Sequence, residues 1–112
     1  MRLRALKRVD LLRHEMKALR YILDNYHAGS VARSELPGAE DFLCPQARAV
    51  YQAIVEAPDR RTAERRIAEL DLEEVDLRSF LRLSGEHYYS YPQLVRERAA
   101  QVRSGQLQVE PA

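Results

Sequence analysis

Apolar residues recur every three or four positions through most of the chain, which is the spacing of amphipathic α-helices. The first stripe starts in the opening basic segment, so we expect a first helix over about residues 3–27, with Asp10 as an alternative start. Gly29 follows as a C-terminal stop signal. The stripe consists of Leu12, Met16, Leu19, Ile22, Leu23 and Tyr26, with Leu3, Leu6 and Val9 extending it. No stretch alternates cleanly between apolar and polar residues, so no strand is expected.

The middle of the chain contains turn signals and then a second stripe. A short helix with Val31 inward is expected from residue 30 to 35, and Pro37-Gly38 ends it. Phe42 is the expected core anchor of the next turn. Pro45 can occupy the first turn of a helix, where its missing N–H is not needed. The buried stripe of that helix is Ala47, Val50, Tyr51, Ile54 and Val55, and Pro58 closes it.

The second half predicts further short helices. Thr62 can cap a helix that runs to Leu70, and either Asp71 or Asp76 can cap a segment over residues 77–83 that buries Phe80. A last helix opens at Ser90 or Tyr91 and runs to about residue 103. The sequence therefore predicts an all-α fold, a compact irregular bundle of five or six helices in a single domain over residues 1–104. Residues 105–112 are expected to be a disordered tail.

Composition indicates a globular protein with no overall bias toward nucleic acid. The 112 residues are 46% hydrophobic and 31% charged, and the formal net charge is +1. The one cysteine, Cys44, excludes an intramolecular disulfide and is expected to be a buried thiol. No apolar run approaches the roughly 20 residues that a membrane helix needs. Charged residues also interrupt the basic N-terminus, so neither a signal peptide nor a membrane location is expected, and the protein is predicted to be cytoplasmic.

Residues that could support catalysis are isolated from one another. His14, His27 and His87 have no metal-ligand spacing to each other or to Cys44, and the glycines form no phosphate-binding loop. Cys44 with a remote histidine could form a nucleophile–base pair, but its position beside Phe42 favours a structural role. We therefore predict no catalytic residue, no metal and no cofactor.

Two surface features could contact a partner. Tyr88, Tyr89 and Tyr91 lie close together in an interhelical loop, and tyrosine is enriched at protein interfaces. With Arg96 on the last helix, they are the candidate partner-binding residues, although one or two rings could instead plug the end of the bundle. The second feature is the basic face of the first helix. Because no aromatic residues are interleaved there, direct nucleic-acid binding is expected to be weak or absent.

The segment from Glu15 to Val55 resembles a helical fold shared by two families of replication proteins. These are the C-terminal helicase-binding domain of DnaG-type bacterial primases and the N-terminal domain of DnaB-type replicative helicases. The resemblance lies in a leading helix with an acidic residue, then Glu40-Asp41-Phe42, a proline, a basic residue and an apolar pair. Its core fingerprint here is Phe42, Pro45, Val50, Tyr51 and Ile54.

The resemblance implies a non-catalytic docking module of DNA replication whose partner is a replicative helicase or a primase. The acidic segment over residues 69–81 resembles the primase domain more, whereas Leu23-Asp24-Asn25 resembles the helicase domain. The leading hypothesis is the primase domain that binds the helicase. Alternatives are the N-terminal self-association domain of a helicase, with a possible homodimer, and a small DNA-binding regulator that uses the first helix.

Overall fold

The computed structural model describes residues 4–73, 80, 82 and 89–110, which contain two short strands, four α-helices with described bounds and two further helical positions, Phe80 and Arg82. In chain order these elements are β1 (Arg4–Leu6), α1 (Arg8–Asn25), α2 (Pro45–Glu56), α3 (Arg60–Ala68), α4 (Tyr91–Arg103) and β2 (Leu107–Val109). Two 3₁₀ turns, Arg33–Glu35 and Ala39–Asp41, lie between α1 and α2. The predicted all-α fold class is confirmed.

Helix α1 is central to the bundle and packs against α4, α2 and α3. Its buried face contains Met16, Leu19, Ile22 and Leu23, all at most 4% exposed, as the periodicity predicted. Burying each such side chain contributes about 1.5–3 kcal/mol relative to exposure. The helix ends at Asn25, and Gly29 adopts a positive φ of 81° in the turn that follows, a conformation that a side chain would strain.

Helix α2 begins at Pro45, as predicted, because proline fixes the backbone of the first turn and needs no hydrogen-bond acceptor there. Its inward stripe contacts α1 on one side and α3 on the other. Phe42 precedes the helix and is fully buried, which confirms its predicted role as a core anchor. The short helix expected over residues 30–35 is reduced to the 3₁₀ turn Arg33–Glu35.

Helix α3 starts earlier than the sequence suggested. Asp59, rather than Thr62, is the N-cap, and its side chain accepts a hydrogen bond from the backbone N–H of Thr62 at 2.7 Å. Aspartate three positions before an unpaired N–H is a favourable cap, and the two arginines that follow are good helix formers. The predicted cap at Thr62 is therefore wrong by three residues, while Ile67 is buried as expected.

The segment between α3 and α4 is described only in part. Residues 71–73 have no regular structure, Phe80 is helical and fully buried, and Arg82 is helical and exposed. The ring of Phe80 lies 5.9 Å from the guanidinium carbon of Arg20 on α1. The predicted cap at Asp76 and most of the predicted helix over residues 77–83 lie outside the described residues. Helix α4 begins at Tyr91 after Ser90, as predicted.

Both ends of the described chain differ from the prediction. Residues 4–6 form a strand rather than the start of the first helix, and residues 107–109 form a strand where a disordered tail was expected. The two strands pair in parallel, with Arg4 opposite Leu107 and Leu6 opposite Val109. Leu107 is only 5% exposed, so its burial offsets the cost of ordering the tail. Gly105, at a φ of 80°, makes the turn from α4 into β2.

Candidate partner-binding groove

The loop from Tyr26 to Cys44 is held in place by side chains from three helices. Glu15 on α1 is 1% exposed, and its carboxylate accepts two backbone hydrogen bonds. The N–H of Leu43 donates to Oε2 at 2.8 Å, and the N–H of Cys44 donates to Oε1 at 2.9 Å. The carboxylate therefore binds the backbone just before the first residue of α2, near the positive end of the dipole of that helix.

Burial and hydrogen bonding act in opposite directions on this carboxylate. Removal from water raises the pKa of Glu15, whereas the N–H groups of Leu43 and Cys44 and the nearby charge of Arg48 lower it, and burial prevails. The role of this buried carboxylate is structural. Glu15 fixes the path of the loop into α2.

Three arginines bind backbone carbonyls of the same loop. Arg48 on α2 donates to Phe42 O at 3.0 Å, and Arg96 on α4 donates to Leu36 O. Arg103 on α4 donates to Glu40 O at 2.9 Å and pairs with Asp41 at 3.0 Å. The loop lies next to the two helices that supply these groups, so these three carbonyls have side-chain donors.

The fingerprint residues lie around the same loop. The rings of Phe42 and Tyr51 are tilted by 32°, with their centroids 4.6 Å apart. The Tyr51 hydroxyl donates to the Pro37 carbonyl and accepts from Arg33, and burial raises the pKa of this phenol. Val50 and Ile54 are fully buried with them. Pro45 differs from the other four because it is exposed and acts only as the first residue of α2.

The predicted tyrosine cluster separates into different roles. Tyr89 is 75% exposed. Tyr91 is half-buried, meets the ring of His14 edge-on at 5.9 Å and lies 5.6 Å below Lys17 Nζ. Tyr88 lies outside the described residues. Arg96 holds the loop through Leu36, so Tyr89 is the most exposed of the three candidate residues that the structure describes.

A groove opens beside Tyr89, between the end of α1, the loop and the start of α4. Its volume is about 240 Å³. The described residues that line it are Tyr21, Ser30, Val31, Glu35, Leu36, Tyr89, Pro92 and Gln93. A concavity that aromatic, aliphatic and polar side chains line together is typical of a binding groove.

One wall of this groove contains a residue that the sequence predicted, and the other wall does not. Tyr89 came from the tyrosine cluster, but Tyr21, Glu35 and Leu36 were not candidates. Tyr21 lies beside the apolar stripe of α1 rather than on it, which is a weak signal for a surface aromatic. Glu35 and Leu36 reach the groove only through the path of the loop, which Glu15 and the arginines determine. No local pattern in the sequence encodes that path.

The basic face of α1 is partly occupied by contacts within the chain. Arg20 pairs with Asp24 at 3.4 Å, and Asp24 also pairs with Arg60 of α3 at 2.7 Å. Lys17 lies over the Tyr91 ring. Lys17 and Arg20 are therefore less available for phosphate contacts than the sequence suggested.

The cysteine and histidines that were considered for catalysis or metal binding make contacts within the protein where the structure describes them. Cys44 is 1% exposed, as predicted for a buried thiol. Nε2 of His27 lies 2.8 Å from the Ile54 carbonyl at the end of α2. His87 lies outside the described residues. Within residues 4–73, 80, 82 and 89–110, no three metal-ligating side chains converge on one point, and no helix is long and apolar enough to cross a membrane.

The fold and groove define a small helical domain with one notable aromatic surface. In comparisons with known proteins, no family model, no curated protein and no solved structure matches the chain.

Proposed function

We propose that this chain is a non-catalytic protein–protein docking module of bacterial DNA replication, similar to the primase domain that binds the replicative helicase. The observation that carries the docking role is the exposure of Tyr89, 75% of whose side chain is open to solvent at the edge of the groove. A large exposed aromatic residue at the edge of a concavity that is lined by both apolar and polar side chains is typical of an interface anchor.

The replication context rests on the fingerprint over residues 15–55. Within that segment, the acidic residue of the leading helix binds the backbone just before the proline. The Phe42 ring packs on Tyr51 of the apolar pair. Such a module acts by raising the local concentration of its partner at the replication fork.

The test is binding of the purified chain to the replicative helicase of the same organism, measured by biolayer interferometry. Tyr89→Ala should weaken binding about tenfold, the loss expected when an aromatic anchor is truncated. Val9→Ala is the matched control, because Val9 is also an exposed apolar residue, at 59%, but lies on α1 outside the groove. Circular dichroism should show the same helix content in both variants.

Two results would contradict the proposal. Absence of wild-type binding to the helicase would exclude the primase-like role, and concentration-dependent self-association in sedimentation would then favour the helicase-like alternative. Equal binding by Tyr89→Ala and wild type would show that the helicase uses a different surface.

A further inference from the structure

His14 lies at the contact between α1 and the start of α4. The two helices pack against each other, and the half-buried ring of His14 meets the ring of Tyr91 edge-on, with their centroids 5.9 Å apart. Tyr91 is the first residue of α4. Because an edge-to-face pair of rings is a favourable contact, the two side chains hold the first turn of α4 (residues 91–94) against α1.

This contact suits a neutral His14 ring better than a charged one. Nδ1 of His14 is buried and has no hydrogen-bond partner among the described residues. In the neutral ring this nitrogen can carry a lone pair, whereas in the charged ring both nitrogens carry a proton and need an acceptor. A buried N–H group without an acceptor is unfavourable. Protonation therefore places an unsatisfied donor between the two helices.

The charges around His14 also oppose its protonation. In the described part of the chain they are three cations and one carboxylate, namely Arg98 on α4 and Arg13, Lys17 and Asp10 on α1. The carboxylate is shared, because Asp10 pairs with Arg13 at 3.9 Å. Lys17 Nζ already lies 5.6 Å from the centroid of the Tyr91 ring, so a charged His14 meets a second cation at the ring it packs against.

We propose that His14 is a pH-sensitive latch, which holds the first turn of α4 against α1 while its ring is neutral and releases that turn when acid charges the ring. Burial and, after it, the charge of Arg98 lower the pKa of His14 from its ordinary value of 6.5. The unfolded state therefore binds this proton more readily than the folded state does. The stability that neutral His14 contributes is fully present above pH 6.5 and is lost as the pH falls through the folded pKa.

Release of this turn changes the groove beside Tyr89. Pro92 and Gln93 lie in the first turn of α4 and line the groove together with Tyr21 of α1. When the turn moves away from α1, these two sides of the groove separate, and a partner that contacts both is bound less tightly in acid. This consequence rests on the proposed function, whereas the latch itself does not.

An NMR titration of the isotopically labelled chain tests the latch without any partner. The midpoint for the ring protons of His14 should lie below pH 6.5. The NOE between the His14 and Tyr91 rings, expected at neutral pH from centroids 5.9 Å apart, should disappear as the His14 ring becomes charged. A midpoint at or above pH 6.5, an NOE that persists in acid, or no NOE at neutral pH would each overturn the proposal.

Variants of the chain separate the charge of His14 from its ring. His14→Phe keeps an aromatic ring that cannot be charged, so the amide of Leu94, which donates to Ser90 O in the same turn, should lose the pH-dependent shift that it shows in wild type. Arg98→Gln removes a cation beside His14 and should raise the midpoint of that ring toward pH 6.5. Arg61→Gln removes an exposed arginine on α3 and is the matched control. Equal midpoints in Arg98→Gln and Arg61→Gln, or an unaltered Leu94 titration in His14→Phe, would contradict the assignment.

Failure of this inference can be told apart from failure of the proposed function. If the chain binds the helicase, its affinity should fall between neutral pH and about pH 5.5 by a larger factor in wild type than in His14→Phe. An equal fall in both proteins would show that the latch does not control the partner surface. If no helicase binds, the proposed function fails, while the NOE and the His14 midpoint still decide whether the latch exists.

Discussion

Replacing Glu15 with glutamine should destabilise the fold, because its carboxylate accepts hydrogen bonds from the buried backbone at Leu43 and Cys44. Glutamine offers one acceptor oxygen, so one of the two N–H groups loses its partner. Leaving one such donor unsatisfied costs about 1–3 kcal/mol, and Glu15→Ala, which removes both acceptors, should cost about 2–6 kcal/mol. Because glutamine is neutral, the substitution also removes the cost of burying a charge. The expected loss for Glu15→Gln is therefore near the low end of the range given for one unsatisfied donor.

The pH dependence of this cost follows from the raised pKa of Glu15. The folded pKa lies above the ordinary value of 4.5, so the folded state binds a proton more readily than the unfolded state does. The contribution of Glu15 to the free energy of unfolding is therefore fully present below pH 4.5 and declines as the pH rises through the folded pKa. The stability advantage of wild type over Glu15→Gln should shrink from mildly acidic to neutral pH.

Urea denaturation of both proteins at intervals between about pH 4.5 and pH 8 measures this advantage. Glu56→Gln, at an exposed position on α2, controls for the loss of a negative charge and should show little dependence on pH. An advantage that instead grows from acidic to neutral pH would refute the reasoning. It would mean that the N–H donors outweigh burial and lower the pKa of Glu15.

Two further substitutions test the packing of the loop. Phe42→Ala should destabilise the fold by about 3–5 kcal/mol, since the ring is fully buried and stacks on Tyr51; a loss below about 1 kcal/mol in urea denaturation would show that Phe42 is not a core anchor. Tyr51→Phe keeps the stacked ring but removes the hydroxyl that joins Arg33 to the Pro37 carbonyl, so it should cost about 1–3 kcal/mol. Equal stability of Tyr51→Phe and wild type would show that water replaces the hydroxyl at Pro37.

Local signals predicted the helices because the information that specifies them lies within a few residues. The three- and four-residue spacing predicted α1, α2 and α4, and Pro45 and Ser90 marked two of their starts. The start of α3 was missed because two possible caps, Asp59 and Thr62, lie three residues apart. The cap proved to be the earlier residue, which leaves Thr62 as the donor of the capping bond.

Features that depend on distant partners were not predicted. The strands pair across almost the whole chain, with Arg4 opposite Leu107, and each has only three residues, too few to show a period of two. The loop depends on Glu15, which is 28 residues from Leu43, and on Arg103, which is 62 residues from Asp41. The candidate groove was therefore half predicted: Tyr89 came from local composition, while Glu35 and Leu36 required the loop path.

The parallel pairing of β1 and β2 determines how the domain responds to tension. If its two ends are pulled apart, β1 is drawn backward along its own direction and β2 forward along the same direction. The force then acts along the strands, so their hydrogen bonds, including that from Glu110 N to Leu6 O at 2.9 Å, are loaded together in shear rather than opened one after another. The paired strands β1 and β2 therefore bear the force before α1 and α4 do. A module attached at both ends would transmit force through these six residues while its groove keeps its shape.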